Sequence, residues 1–123
     1  MEKKIEELNG FKDLRIVDNF YQTSSFFPMP TTEIGTLSES GQTNLGSYSL
    51  CFPYYIAGKD YYAMLLCCRN SSNTAKNILR TGKCSINFIT DKRKYFKEAV
   101  RLGYPGETTE EKMKDCIFTL VDG

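Results

Sequence analysis

The chain contains no histidine. A serine or cysteine hydrolase of the usual kind needs an imidazole to take the nucleophile's proton, so that chemistry is excluded. Cysteine is present without a pattern. Cys51, Cys67, Cys68, Cys84 and Cys116 show no C-x-x-C spacing, and a thiolate metal site is not expected. Five is an odd number for a disulfide framework, and the reading is of buried, reduced thiols in a cytoplasmic protein. Long apolar runs are missing as well. YYAMLLCC falls far short of a membrane span, and MEKKIEELNG places charges where a secretory signal has its apolar core. A membrane partner is therefore not expected. Neither sign of charge dominates: the net charge is +1, which provides no global field for nucleic acid. The locally basic DKRKYFK reads as the solvated face of a helix. G-x-G-x-x-G is also absent, so a dinucleotide fold of the usual fingerprint is not expected.

What is present suits one domain. The 123 residues are 41% apolar and 25% charged, enough to bury a core. Residues 2–9 have helical spacing, 14–27 are mixed, and FPMP at 27–30 breaks any helix. TTEIGTLSESGQTNLGSYSLCF reads as a β-hairpin turning at SESGQ, with Gly41 in the turn. DYYAMLLCC, residues 60–68, predicts a strand buried on both faces, with Cys67 and Cys68 on opposite sides. A helix is expected at 73–81, ending at Gly82, with Ala75, Ile78 and Leu79 as its apolar positions. KCSINFIT alternates Cys84, Ile86 and Phe88 against Ser85 and Asn87, the pattern of a fourth strand. Helices are expected at 91–102 and 108–116, the second opened by Thr108 or Thr109 with a glutamate at capping-box distance. GYPGE separates them. Four strands leave open edges, and FPYYIAGKDYY gathers four tyrosines, a composition common at interfaces. A homodimer is the expected assembly.

The connection at 67–83, CCRNSSNTAKNILRTGK, carries five small polar residues and one arginine between a strand and a helix. Ser72, Asn73 or Thr74 could simply cap the helix, since a side-chain oxygen there satisfies orphan backbone N–H groups. The same N–H groups, the positive end of the helix dipole, the hydroxyls and Arg69 would also suit a phosphate. The two roles are compatible.

In their order and spacing, Thr36, Gly41, Asn44, Tyr48 and Ser49, then Arg69, Thr74, Asn77, Ile78, Thr81, Gly82 and Asn87, resemble the flavin reductase-like, FMN-binding split-barrel family. The resemblance covers about residues 30–90. It implies a mainly β fold with helices, a split β-barrel, in which the family's further C-terminal strands are absent from 1–123 and the barrel is incomplete. It also implies FMN as cofactor, with NADH or NADPH as hydride donor beside it, at a site on a subunit boundary. Arg69, Ser71, Ser72 and Thr74 are then expected at the phosphate. Asn44 and Ser49 are expected nearest the flavin ring, with Gly46 and Ser47 leaving it room and Thr36 reaching it from the facing strand. No catalytic side chain is expected, because the cofactor carries the hydride chemistry and the protein orients it. The alternative is a module that holds FMN or another phosphorylated ligand without turnover.

Overall fold

A computed structural model describes residues 29–55 and 62–121. The expected helix at 2–9, the mixed stretch at 14–27 and the Phe27–Pro28 break lie outside the described residues. The elements are β1 (Thr32–Leu37), β2 (Thr43–Tyr48), β3 (Cys51–Tyr55), β4 (Tyr62–Leu66), α1 (Asn73–Thr81), β5 (Ser85–Phe88), α2 (Arg93–Gly103) and α3 (Thr109–Met113). Strands and helices are mixed in two separate sheets, one of order β2-β1-β5 and one of β3-β4; among the described residues no barrel closes.

The hairpin forms as its sequence predicts. Ser38 N–H donates to Gln42 C=O at 2.9 Å and Gly41 N–H to Ser38 C=O at 3.0 Å. Gly41 takes φ +81°, the left-handed conformation that lets a three-residue loop rejoin a right-twisted ladder. β1 pairs antiparallel with both neighbours. Glu33 lies opposite Ser47 and Asn87, and Gly35 opposite Leu45 and Ser85, so these side chains share one face. Thr32, Ile34 and Thr36 share the other.

Helix α1 covers the Thr36 face. Ser72 is its N-cap, accepting from Ala75 N–H at 3.0 Å, and Gly82 closes it at φ +67° with its N–H on Ile78 C=O. Its inward face differs from the apolar spacing in the sequence. Thr74, Ala75 and Asn77 are buried, whereas Leu79 is 84% exposed. The cause is a polar interface under the helix: Asn77 Nδ2 donates to Thr36 Oγ1 at 3.1 Å, and Arg80 Nη2 donates to Leu37 C=O. At Gly46 the helix comes closest to the sheet, since a Cβ there would meet Thr74 Oγ1 at 2.6 Å and the Tyr48 ring at 2.9 Å. The room beside Gly46, expected to receive a flavin ring, holds these two side chains.

Helix α2 covers the opposite face, where Leu45, Leu102 and Met113 form the core and Cys116 and Phe118 pack against it. Tyr95 stacks on Phe118 at 5.4 Å between centroids. The basic stretch 91–97 is exposed apart from half-buried Tyr95, as its charge pattern predicts. Glu98 and Arg101 form a two-pronged ion pair at 2.6 and 3.0 Å, and Arg101 Nη1 also donates to Lys112 C=O at 2.9 Å. This pair fastens α2 to the end of α3. The Arg101 guanidinium is chiefly responsible for holding the Glu98 carboxyl below its ordinary range. Thr108 and Glu111 complete the capping box of α3, which stops at Met113, three residues before its predicted end.

Two other expectations are corrected. β4 is not buried on both faces: Met64 and Leu65 point to opposite sides and are 46% and 44% exposed, because the β3-β4 ribbon is only two strands thick and carries no covering layer among the described residues. The strand also ends at Leu66, before Cys67 and Cys68. All five thiols are free, but only Cys51 is buried, with Cys68 and Cys116 half-buried and Cys67 and Cys84 exposed. In β5 the alternation leaves Ile86 half-buried and Phe88 74% exposed, since among the described residues β5 is an edge of its sheet. Among the described residues, no helix is long and apolar enough to cross a membrane.

Candidate functional site: a cationic groove along the edge of β2

Among the described residues the outer edge of β2 has no partner strand, which leaves backbone donors and acceptors available to a ligand. An open groove of about 910 Å³ runs along this edge, within the range of small-molecule sites, about 300–1,000 Å³. One end is the turn before α1, with Arg69, Ser71 and Ser72. The opposite wall is the loop from Tyr104 to Thr108, and Asn73 Nδ2 ties the two ends together by donating to Glu107 C=O at 2.9 Å. GYPGE is therefore a wall of the groove as well as a helix separator.

Six of the eight candidate residues line this groove: Ser47, Ser49, Arg69, Ser71, Ser72 and Thr74. Two do not. Thr36 and Asn44 are buried behind it in a polar network. Asn44 Oδ1 accepts from Thr109 Oγ1 at 3.2 Å, while its Nδ2 makes long contacts to Thr36 Oγ1 at 3.4 Å and Thr74 Oγ1 at 3.5 Å. The Asn44 side chain is thus satisfied by protein, from β1, α1 and α3.

At the α1 end, Ser72 caps the helix, and the cap leaves other donors free. Ser72 Oγ accepts the Ala75 N–H, and its own proton remains available to donate. The N–H groups of Asn73 and Thr74 open the helix without intrahelical acceptors, and the first turn contains no acidic residue. Among the described residues three cations line the groove, Arg69, Lys76 and Lys112, against one carboxylate, Glu107. Lys76, Lys112 and the Tyr104–Glu107 wall are groove residues that sequence reasoning missed, Lys112 the most enclosed of the lysines. Lys112 is buried, with no carboxylate at ion-pair distance among the described residues, and burial pulls its ammonium below the ordinary lysine range. In the sequence it is one of several lysines in a charged helix; only the packing of α3 against β2 places it in the groove.

Ser47 faces inward with its hydroxyl. Its Oγ lies 2.5 Å from Glu33 Oε1 and 2.6 Å from Ala99 C=O. A hydroxyl has one proton, so both contacts are hydrogen bonds only if Glu33 supplies the second. The environment agrees: burial pushes the Glu33 carboxyl up to about 7, against the opposing effects of the Ser47 hydrogen bond and the Lys112 charge. Glu33 is therefore largely protonated below about pH 7 and ionises as the pH passes through that value.

Comparison of the chain with protein-family models, curated proteins and solved structures finds no match. The functional reading accordingly stands on the groove, its charge and the sequence resemblance.

Proposed function

We propose that the groove along β2 binds FMN and that the protein is a flavin reductase-like flavoprotein of the split-barrel type. One observation carries the reading. The resemblance singles out two stretches some twenty residues apart in the chain, Asn44–Ser49 and Arg69–Thr74; Gly46–Ser49 of the first and all but Asn70 of the second line the same groove, while Asn44 lies behind it. Arg69, Ser71, Ser72 and the N–H groups opening α1 would hold the phosphate monoester, which carries nearly two negative charges and has no second nucleotide to anchor it. The outer edge of β2 at Gly46 and Ser47, with Ser49 just beyond the strand, would meet the polar rim of the ring. Tyr104, exposed on the facing wall, offers a flat apolar surface. Lys112 supplies positive charge to the groove floor.

When bound, FMN supplies the hydride-accepting chemistry, with NADH or NADPH as donor. The chain's own residues orient the cofactor and neutralise its phosphate, and no protein acid or base is required. Two copies are proposed to associate through the exposed apolar faces of the β3-β4 ribbon.

The test compares FMN with riboflavin, which lacks the phosphate. Arg69→Ala should weaken FMN by about one to two orders of magnitude, the worth of a charged hydrogen bond, and leave riboflavin nearly unchanged. Affinities come from quenching of flavin fluorescence. Equal losses for both ligands, or no binding of FMN at high micromolar concentration, would remove the phosphate reading. Anaerobic addition of NADH to the FMN-loaded protein then separates a reductase, whose yellow colour bleaches, from a module that only holds the cofactor.

A further inference from the structure

A second cavity, of about 350 Å³, lies on the sheet face that α1 does not cover. Its floor is Glu33, Gly35, Ser85 and Asn87, and Tyr95 and Phe118 form part of its walls. Gly35 leaves room there, because a Cβ would lie 2.4 Å from the present position of Ser85 Oγ and would make that hydroxyl turn away. The floor is rich in acceptors. Asn87 Nδ2 is already committed to Glu33 C=O at 3.0 Å and Ser85 Oγ at 3.1 Å, so its amide oxygen is the part left for a ligand. Glu33 is 2% exposed, and its Oε2 is the one buried side-chain oxygen or nitrogen without a hydrogen-bond partner among the described residues. Its other oxygen is on Ser47. A buried polar atom left unpaired costs stability unless something meets it.

We propose that this cavity is a second binding site, distinct from the β2 groove, and that it takes a compact organic cation: a primary amine on a small apolar or aromatic body. The sign of the charge follows from the lining. Among the described lining residues Glu33 is the only acidic one, and there is neither lysine nor arginine. An ammonium group would donate to Oε2, and a desolvated carboxylate gains most from a charged donor. The Tyr95 and Phe118 rings suit both the body and the cation. Three charged or titratable groups face Glu33 from the packed helices and the segment after them. Lys112 on α3 favours its ionised form, Glu98 on α2 opposes it, and Cys116 lies beside the core, its thiol pushed up by burial. Lys112 lines the other groove and not this cavity, so no cation is found among the described lining residues.

Benzylamine is the probe, with benzyl alcohol as its uncharged counterpart. Titrated into the full chain and followed by amide chemical shifts, benzylamine should saturate and move Gly35, Ser85 and Asn87 while leaving Ser71 and Ser72 in place. Benzyl alcohol should bind roughly tenfold more weakly, as should benzylamine to Glu33→Gln. Binding should tighten as pH rises through about 7, where Glu33 ionises, and below that pH calorimetry in buffers of different ionisation enthalpy should record proton release. Thr119→Lys provides a second variant at an exposed lining position. Its ammonium would compete for Glu33 and weaken benzylamine by roughly tenfold, so the question stays answerable if Glu33→Gln does not fold. Absence of saturable binding at about 10 mM, far above useful affinity, would overturn the proposal. So would shifts centred on the Arg69 end of the groove, or an affinity that neither variant changes.

Discussion

Glu33 ties the protein's stability to pH through a single carboxyl. Its folded-state value of about 7 lies above the ordinary 4.5, so the folded chain keeps a proton that the unfolded chain releases. Stability from this group is fully present below about pH 4.5, falls as pH rises towards 7, and is flat beyond. The fall should amount to about 2–3 kcal/mol. Urea melts of the wild type and Glu33→Gln at pH 5 and pH 8 should show this slope only in the wild type; the same slope in both would assign it to other groups. Lys112, also buried, contributes with the opposite sign and only at alkaline pH, because its depressed value is restored on unfolding. Neither burial was legible in the sequence. Glu33 alternates with buried Thr32 and Ile34 in β1, so it looks like the solvent-facing position of a one-sided strand, and only α2 on the second face makes it interior.

At the scale of the helix, α1 allows capping and anion binding to be separated by one substitution. Ser72→Ala should cost about 1 kcal/mol of stability through the lost cap. Ser72→Asp should keep the cap, because a carboxylate accepts the Ala75 N–H equally well, yet it sets a negative charge against a phosphate. FMN affinity should then fall roughly tenfold or more, while riboflavin affinity and the melting midpoint stay level. A loss shared by both flavins would mean that the substitution distorts the groove. The caps themselves were readable. Ser72, Gly82, Gly41 and the Thr108–Glu111 box act over three or four residues, and local chemistry decides them. Leu79 and β4 were misread for the opposite reason. Whether an apolar side chain is covered depends on a neighbouring layer, and α1 is held by Thr74 and Asn77 while the β3-β4 ribbon has no layer beside it among the described residues. Of the site, the Ser47–Ser49 and Arg69–Thr74 stretches could be found from their small, polar composition. Lys76, Lys112 and the Tyr104–Glu107 wall could not, because nothing local distinguishes them from solvated residues.

For the whole molecule, the ribbon supports the proposed dimer. Phe52, Tyr54, Met64 and Leu65 are all more than two-fifths exposed, a grouping of large apolar side chains on one thin element that favours association. Sedimentation should give twice the chain mass, and Leu65→Lys should shift the equilibrium to monomer without lowering FMN affinity in the β2 groove. A wild-type chain that stays monomeric at about 100 µM, a concentration at which a specific apolar interface is populated, would end the dimer reading. If Leu65→Lys also abolished FMN binding, the groove would depend on the partner copy.

The Asn44 side chain also sets how parts of the chain open. Helix α3 has only five residues, too few to persist alone in water, yet Thr109 is joined through the Asn44 amide to β1 and α1. The exchange of its backbone protons with solvent deuterium should therefore be limited by the opening of β2 and not by local fraying. In Asn44→Ala, α3 should exchange orders of magnitude faster while the distal end of α1, closed by Gly82, keeps its protection. A ligand seated at Ser72–Thr74 would then slow exchange in α3, some thirty-five residues further along the chain, by holding the third member of the same network.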